Sequence, residues 1–216
     1  MTEADSQTMM KKLFVTLIAA LLSFSAVAGD APDVLIKRVS EEVLEIVRQD
    51  KDVRNGDIQK IAALVDAKVL PHFNFQRMTA LAVGRDWRSA STAQKTRLQA
   101  EFKMLLVRTY ANALTSYSNQ RIVFRPFRMR DGETEVLVRS EVVQPGAQPV
   151  QIDYWLELAD GQWKVFDVVV AGISLVTNYR EQFAREVRDG GIDGLIASLA
   201  AKNKSLEVTA NNRAAR

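Results

Sequence analysis

An α+β fold, in which a curved four-stranded antiparallel sheet is wrapped by helices before and after it, is what this sequence predicts. Three observations carry the prediction. Between Arg121 and Val170, apolar and polar residues alternate along segments joined by "QPGAQ" and by the turn dipeptides Asp131-Gly132 and Asp160-Gly161, the pattern of an antiparallel meander. Before and after that stretch, apolar residues recur at helical spacing. No internal repeat or low-complexity linker divides the chain, so one domain accounts for residues 29–203, between a leader of residues 1–28 and a polar tail of residues 204–216.

The leader has the build of a cleavable export signal. Lys11 and Lys12 precede the apolar run "LFVTLIAALLSF" and the small-residue site Ala26-Val27-Ala28. The run is far shorter than the roughly 20 apolar residues of a membrane-spanning helix. No cysteine follows the site, so lipid attachment there is not expected, and the residues before Met10 read as an upstream start. Lys+Arg number 29 against 26 Asp+Glu, a net +3 that loss of Glu3, Asp5, Lys11 and Lys12 would leave unchanged. So small a charge, spread along the chain, argues against nucleic-acid binding. With no cysteine at all, an exported chain must be held by its core and not by disulfides.

The helices follow in order. From Asp33 to Arg48, Ile36, Val39, Val43, Ile46 and Val47 share one face. Asp57 caps a second helix running through Ile58, Ile61, Leu64 and Val65 toward Pro71, and "FNFQRMTALAVG" makes a third that ends at Gly84. Ser91-Thr92-Ala93-Gln94 is a capping box. It opens a long helix whose stripe runs through Leu98, Phe102, Leu105, Leu106, Tyr110, Ala113, Leu114 and Tyr117. After Gly172, Tyr179, Phe183 and Val187 mark another helix up to Gly190-Gly191, and Ile192 to Ala201 a last one, with a frayed tail beyond.

Charge and turn chemistry set the expected strand register. A two-residue turn at Asp160-Gly161 pairs Glu157 with Lys164, and so Leu156 with Val165, Tyr154 with Asp167 and Ile152 with Val169. Pairing Arg139 with Asp153 places Val138 beside Tyr154, Val142 beside Val150 and Val136 beside Leu156. A strand from Arg121 to Met129 joins through Asp131-Gly132, with Arg130 facing Glu133 and Phe127 near Val136.

Catalytic signals are thin. His72 is the single histidine, so a Cys/His pair is impossible, and it reads as a surface or helix-end residue. No metal is expected, because no His, Cys or carboxylate cluster has ligand spacing, and no phosphate-binding glycine loop occurs. Asp167 beside Tyr154 could act as a general base next to a phenol, the chemistry of a small-molecule isomerase. The simpler reading is a hydrogen-bonded pair that fixes register. Arg85, Trp87 and Arg88 in "GRDWRSAS" could hold a phosphate or an acidic partner, or be solvated arginines around one packed indole.

The segments "AVGRDWRSASTAQKTRLQAEFKMLLVRTYANAL", "WKVFDVVVAGISLVTNYREQF" and "GGIDGLIASLAAKN", in this order behind an export signal, resemble the MlaC family, also called toluene-tolerance proteins. The likeness spans about Asp33 to Asn203. One departure is Ala171, where the family often has an acidic residue. The resemblance implies a non-enzymatic periplasmic phospholipid carrier without cofactor, on a cone similar to nuclear transport factor 2. Its tails would be buried between sheet and helices. Its partners would be an outer-membrane lipoprotein complex and an inner-membrane ABC transporter complex, between which it maintains outer-membrane lipid asymmetry.

Physical chemistry supplies the reason for such a carrier. About 30 methylenes at ~0.8 kcal/mol each make a diacyl lipid costlier in water by on the order of 20 kcal/mol, so it does not diffuse free. The expected inward set of Val136, Val138, Val142, Val150, Ile152, Tyr154, Val165 and Val169 lines one wall of an apolar cavity. Phe102, Leu105, Leu106 and Tyr110 line the other, and Ile173 stands at the rim. Val168, Phe166 and Trp155 face away, under terminal helices.

Overall fold

The computed structural model describes residues 29–115 and 120–214; the leader and Tyr117 lie outside them. Among the described residues six helices and five strands make an α+β fold. Pro32 opens α1 (Pro32–Gln49), where its missing N–H costs nothing. The short α2 (Lys51–Arg54) is capped by Asp50, and α3 (Ile58–Leu64) by Asp57, whose Oδ1 accepts from the Gln59 and Lys60 amides at 2.9 and 3.1 Å. Beyond α3 the expected helix changes pitch, to a π turn over Val65–Val69 and a 3-10 turn over Leu70–His72. Next come α4 (Phe75–Val83), closed by Gly84 at φ 77°, and a 3-10 turn over Gly84–Arg88.

The capping box forms as expected: Ser91 Oγ accepts from the Gln94 amide at 3.2 Å, and Gln94 Oε1 accepts from the Ser91 amide at 2.9 Å. It opens α5 (Thr92–Thr115). The last helix, α6 (Leu175–Ala214), is broken at Gly191, whose φ of 67° is the left-handed conformation that glycine accepts readily. No frayed end begins at Lys202. Asn203 donates to the Glu101 carbonyl and carboxylate at 3.0 and 2.9 Å, and Arg108 donates to the Asn203 carbonyl and to Glu207 at 2.8 and 2.9 Å. These bonds tie the end of α6 along α5, so the helix runs on to Ala214.

The sheet is an antiparallel meander of five strands, β1 (Arg121–Phe124), β2 (Glu135–Val143), β3 (Val150–Ala159), β4 (Gln162–Val170) and β5 (Ile173–Ser174), where four were expected. The fifth arises because Ala171 (φ 50°) and Gly172 (φ 82°) make a tight turn that folds two residues back on β4. Ala171 thus holds a left-handed backbone that Asp and Asn accept more readily than Ala, a physical reason for an acidic residue there. Strand β1 is shorter than expected because Pro126 has no N–H for the ladder; Arg125 makes the last bond, to the Arg139 carbonyl at 2.9 Å.

Between β2 and β3 the register is the expected one, with Arg139 opposite Asp153, Val138 opposite Tyr154, Val142 opposite Val150 and Val136 opposite Leu156. Between β3 and β4 it holds only as far as Leu156 and Val165. A bulge then inserts Phe166, so Trp155 faces Asp167, Tyr154 faces Val168 and Ile152 faces Val170. The expected pairs Tyr154 with Asp167 and Ile152 with Val169 are therefore corrected by one residue. Every β4 side chain beyond the bulge changes face: Val168 joins Tyr154 on the inward side, and Val169 shares the outer side with Asp153.

Three apolar clusters fill the interior. One sits among α4, α5 and α6, where Phe102 meets Tyr179 and Phe183 edge-on at 5.1 and 5.2 Å. The second lies between α1 and the inward sheet face, and the third between the ends of α1 to α3 and α5. Phe73 packs against the first two, and the backbone of Asn74 beside it donates to the Val165 carbonyl at 2.8 Å, tying the helical layer to β4.

Candidate functional site

The inward face of the sheet is closed at one end and open at the other. On β2, Val136, Val138 and Ser140 are buried, while Val142 is half-buried. On β3, Leu156 is 0% exposed, Tyr154 and Ile152 are half-buried and Val150 is 42% exposed. On β4, Trp163 and Val165 are buried but Val168 and Val170 only half so, and Ile173 on β5 is 60% exposed. The gradient runs the same way on β2, on β4 and from Leu156 to Val150 on β3, whereas Leu158, paired with Trp163 at the hairpin tip, is 43% exposed and Ile122 and Phe124 of β1 are both half-buried. Leu35, Ile36 and Val39 of α1 seal the closed end, whereas Val142, Val150, Ile152, Val170 and Ile173 belong to none of the three clusters.

The helical wall divides likewise. Phe102 and Leu105 are buried among α4 and α6, with Leu106 packed beside them, and Tyr110 is 37% exposed. The structure does not bring Phe102 and Leu105 against Val136, Val138 and Val165, because α1 rather than α5 covers that part of the sheet. What the open end of the sheet and Tyr110 share is apolar surface that no packed cluster covers. Apolar surface left wet along one end of a sheet is a candidate place for something else to bind.

Beside the open end lies a cleft of ≈ 490 Å³ between α1 and the edge strand β1. Leu44, Ile122 and Phe124 give it apolar lining, Ser40 stands in its wall, and Lys37, Glu41, Glu45, Arg48 and Arg121 rim it. Ile122 pairs directly with Val142, so cleft and open end are continuous. Burial pushes the pKa of the Tyr154 phenol up, more than the nearby Ser140 and Ser40 hydroxyls pull it down. Sequence reasoning missed this cleft. Leu44, an apolar residue off the main stripe of α1, was the available signal.

Two other expected constellations come apart. Asp167 lies opposite Trp155, on the other face from Tyr154, so the base and phenol pair does not exist. Instead Asp167 accepts from Ser174 Oγ at 2.5 Å and from the Val176 amide at 3.2 Å, while Ser174 Oγ accepts from the Thr177 amide at 3.0 Å. The aspartate anchors the first turn of α6 to β4. The extra residue Phe166 carries the Arg77 guanidinium 3.7 Å from its ring centre, and Arg77 also pairs with Glu157 and Glu135.

Arg85 and Arg88 are exposed, with Arg85 4.0 Å from Asp86, and Trp87 packs against the helical cluster under Lys95. They sit at the start of α5, about 30 Å along its axis from Tyr110 at ~1.5 Å per residue. His72 ends the 3-10 turn, half-buried, and burial lowers its pKa. Among the described residues no His, Cys, Asp or Glu cluster suits a metal, and no helix is long and apolar enough to cross a membrane.

The sequence model of the MlaC protein family matches residues 37–201. The chain belongs to the MlaC family. Among curated MlaC-family relatives, the intermembrane phospholipid transport system binding protein MlaC of Haemophilus influenzae is 26% identical over 197 residues, 88% of this chain and 92% of the relative. A toluene tolerance protein of Pseudomonas putida is 38% identical over 107 residues, 49% of each chain. The phospholipid-binding protein from Ralstonia solanacearum, solved in complex with a phospholipid, is similar in structure with a TM-score of 0.79 and 38% identity, covering 82% of this chain and 99% of that one.

Proposed function

We propose that this protein is a phospholipid-binding transport protein, which holds acyl tails over the open end of its sheet. The observation that carries the reading is the loss of burial from Val138, Leu156 and Val165 toward Val142, Val150 and Val170: apolar residues of the inward face are left half-wet at that end of β2, β3 and β4. A soluble protein that leaves such surface uncovered gains ~25 cal/mol for each Å² that an acyl chain removes from water. The solved Ralstonia relative, which holds a phospholipid, supports the choice of ligand.

In this reading Val142, Val150, Ile152 and Tyr154 form the sheet wall, with Val168 and Val170 in place of Val169. Leu106 and Tyr110 border the tails from α5, and Ile173 forms the rim. Val136, Val138, Val165, Phe102 and Leu105 back these surfaces as packed core. The fold is a relative of the nuclear-transport-factor-2 cone. Transfer needs no covalent step, because lipid moves down affinity differences between donor and acceptor. The leader exports the chain to the periplasm, where it shuttles diacyl phospholipid between an outer-membrane lipoprotein complex and an inner-membrane ABC transporter complex, maintaining outer-membrane asymmetry. Arg85, Trp87 and Arg88, far from the tails, serve a partner rather than a headgroup.

Native mass spectrometry of the gently purified protein tests the reading. Phospholipid at near-stoichiometric level is expected, and a preparation that carries none and takes up none from vesicles would overturn it.

A further inference from the structure

We infer that Arg77 is a positioning residue for the acyl tails: by holding the bulge at Phe166 it decides which side chains of β4 face the lipid. This rests on the phospholipid reading above. Two registers are open to β4 beyond the Leu156 and Val165 pair. In a straight one, Asp167 would stand inward beside Tyr154, and Val169 would join the tail wall. In the bulged one that the structure adopts, Val168 and Val170 line the wall and Asp167 moves to the outer face. A bulge leaves one residue outside the ladder, so something else must hold that residue.

Arg77 of α4 does so. Its guanidinium lies 3.7 Å from the centre of the Phe166 ring, over the one residue that the bulge adds. It also pairs with Glu157 and, at 2.6 Å, with Glu135. Those two carboxylates stand directly opposite each other on β2 and β3, an arrangement that repels unless a cation lies between them. The start of α4 adds to the hold. Strand β5 pairs only with Val169 and Val170, which leaves the edge of β4 at Val165 free for the helix. There the Asn74 amide donates to the Val165 carbonyl at 2.8 Å, and Asn74 Nδ2 donates to Glu157 Oε1 at 2.8 Å. Helix α4 thus grips β4 at the last residue in step with β3 and at the first one out of step. Asp167, bonded to Ser174 and to the Val176 amide, holds the far side of the bulge. Without the guanidinium, the balance between the registers should move toward the straight one by about tenfold.

The chain has no cysteine, so an introduced thiol reports alone. Val168→Cys and Val169→Cys, at half-buried positions on opposite faces, are made in the wild type and in Arg77→Leu. Maleimide labelling is timed before and after loading from vesicles of phosphatidylethanolamine and phosphatidylglycerol, with bound lipid counted by mass spectrometry. In the wild type, lipid is expected to slow labelling of Val168→Cys and leave Val169→Cys unchanged. In Arg77→Leu the ratio of the two protections should fall about tenfold, as Val169→Cys becomes shielded. Arg77→Lys keeps the charge but cannot stack and bridge at once, so it should move the ratio the same way by about threefold, and it decides the matter if Arg77→Leu does not fold. A wild-type pattern in the variant that folds, or an equal loss of protection at both positions, overturns the positioning role and leaves phospholipid binding intact. Lipid that loads into the wild type without shielding Val168→Cys also overturns this inference alone. A wild type that takes up no lipid overturns the phospholipid reading and this inference with it.

Discussion

The two ends of the inward sheet face are built from the same residue types on the same strands, yet one is core and the other is surface. Val138 and Leu156 are 1% and 0% exposed beneath α1, while Ile152, on the same strand as Leu156 and only four residues away, is half-buried and packs in no cluster. The difference teaches that strand alternation specifies which way a side chain points and not what meets it there. At the closed end protein meets it, and at the open end the proposed occupant is an acyl chain.

That contrast breaks most visibly at the closed end. Leu156→Ala should cost about 2–5 kcal/mol, because the close-packed surroundings under Leu35 and Val39 cannot fully collapse into the space; a urea midpoint unchanged from wild type would show that this end is looser than it looks. Ile152→Ala should cost the lipid-free protein only about 1 kcal/mol. Lipid retention should nevertheless fall about tenfold if its methylenes meet an acyl chain, as vesicle-exchange kinetics would report. Equal effects of the two substitutions on stability, with no effect on retention, would erase the distinction between the ends.

The smallest expected effect is on pH dependence, at His72 beside the closed end. Its folded pKa lies below the ordinary 6.5 because of burial, with Arg38 and Lys164 adding to the shift and Glu42 and Asp30 opposing it. The unfolded chain therefore binds this proton first as pH falls through about 6.5, so the stability present above that pH diminishes below it. Thermal melts at pH 7 and pH 5.5 should differ less in His72→Gln than in wild type. An identical pH difference in both would remove the histidine from the account.

Local chemistry carried much of the fold into legible form. The Asp57 cap, the Ser91 and Gln94 box, the break at Gly191 and the whole β2 to β3 register rest on groups a few residues apart or on a single turn, so they could be read from the chain. The candidate site was legible in part. Val142, Val150, Ile152, Tyr110 and Ile173 were expected at an apolar wall and rim, and the structure leaves each of them outside its packed clusters. Val169 was misplaced because a bulge at Phe166, invisible in the alternation, reverses the faces after it.

The sequence by itself determined most of the helices, two hairpin turns and the antiparallel order of the main strands, since these depend on short-range periodicity and side-chain type, and its motifs carried the resemblance to the family. Only the tertiary structure decided that α1 and not α5 covers the sheet, that Asp167 anchors α6 instead of facing Tyr154, and that one end of the sheet stays open. Those outcomes depend on how distant surfaces fit together, and shape complementarity between segments far apart in the chain leaves no local mark in either one.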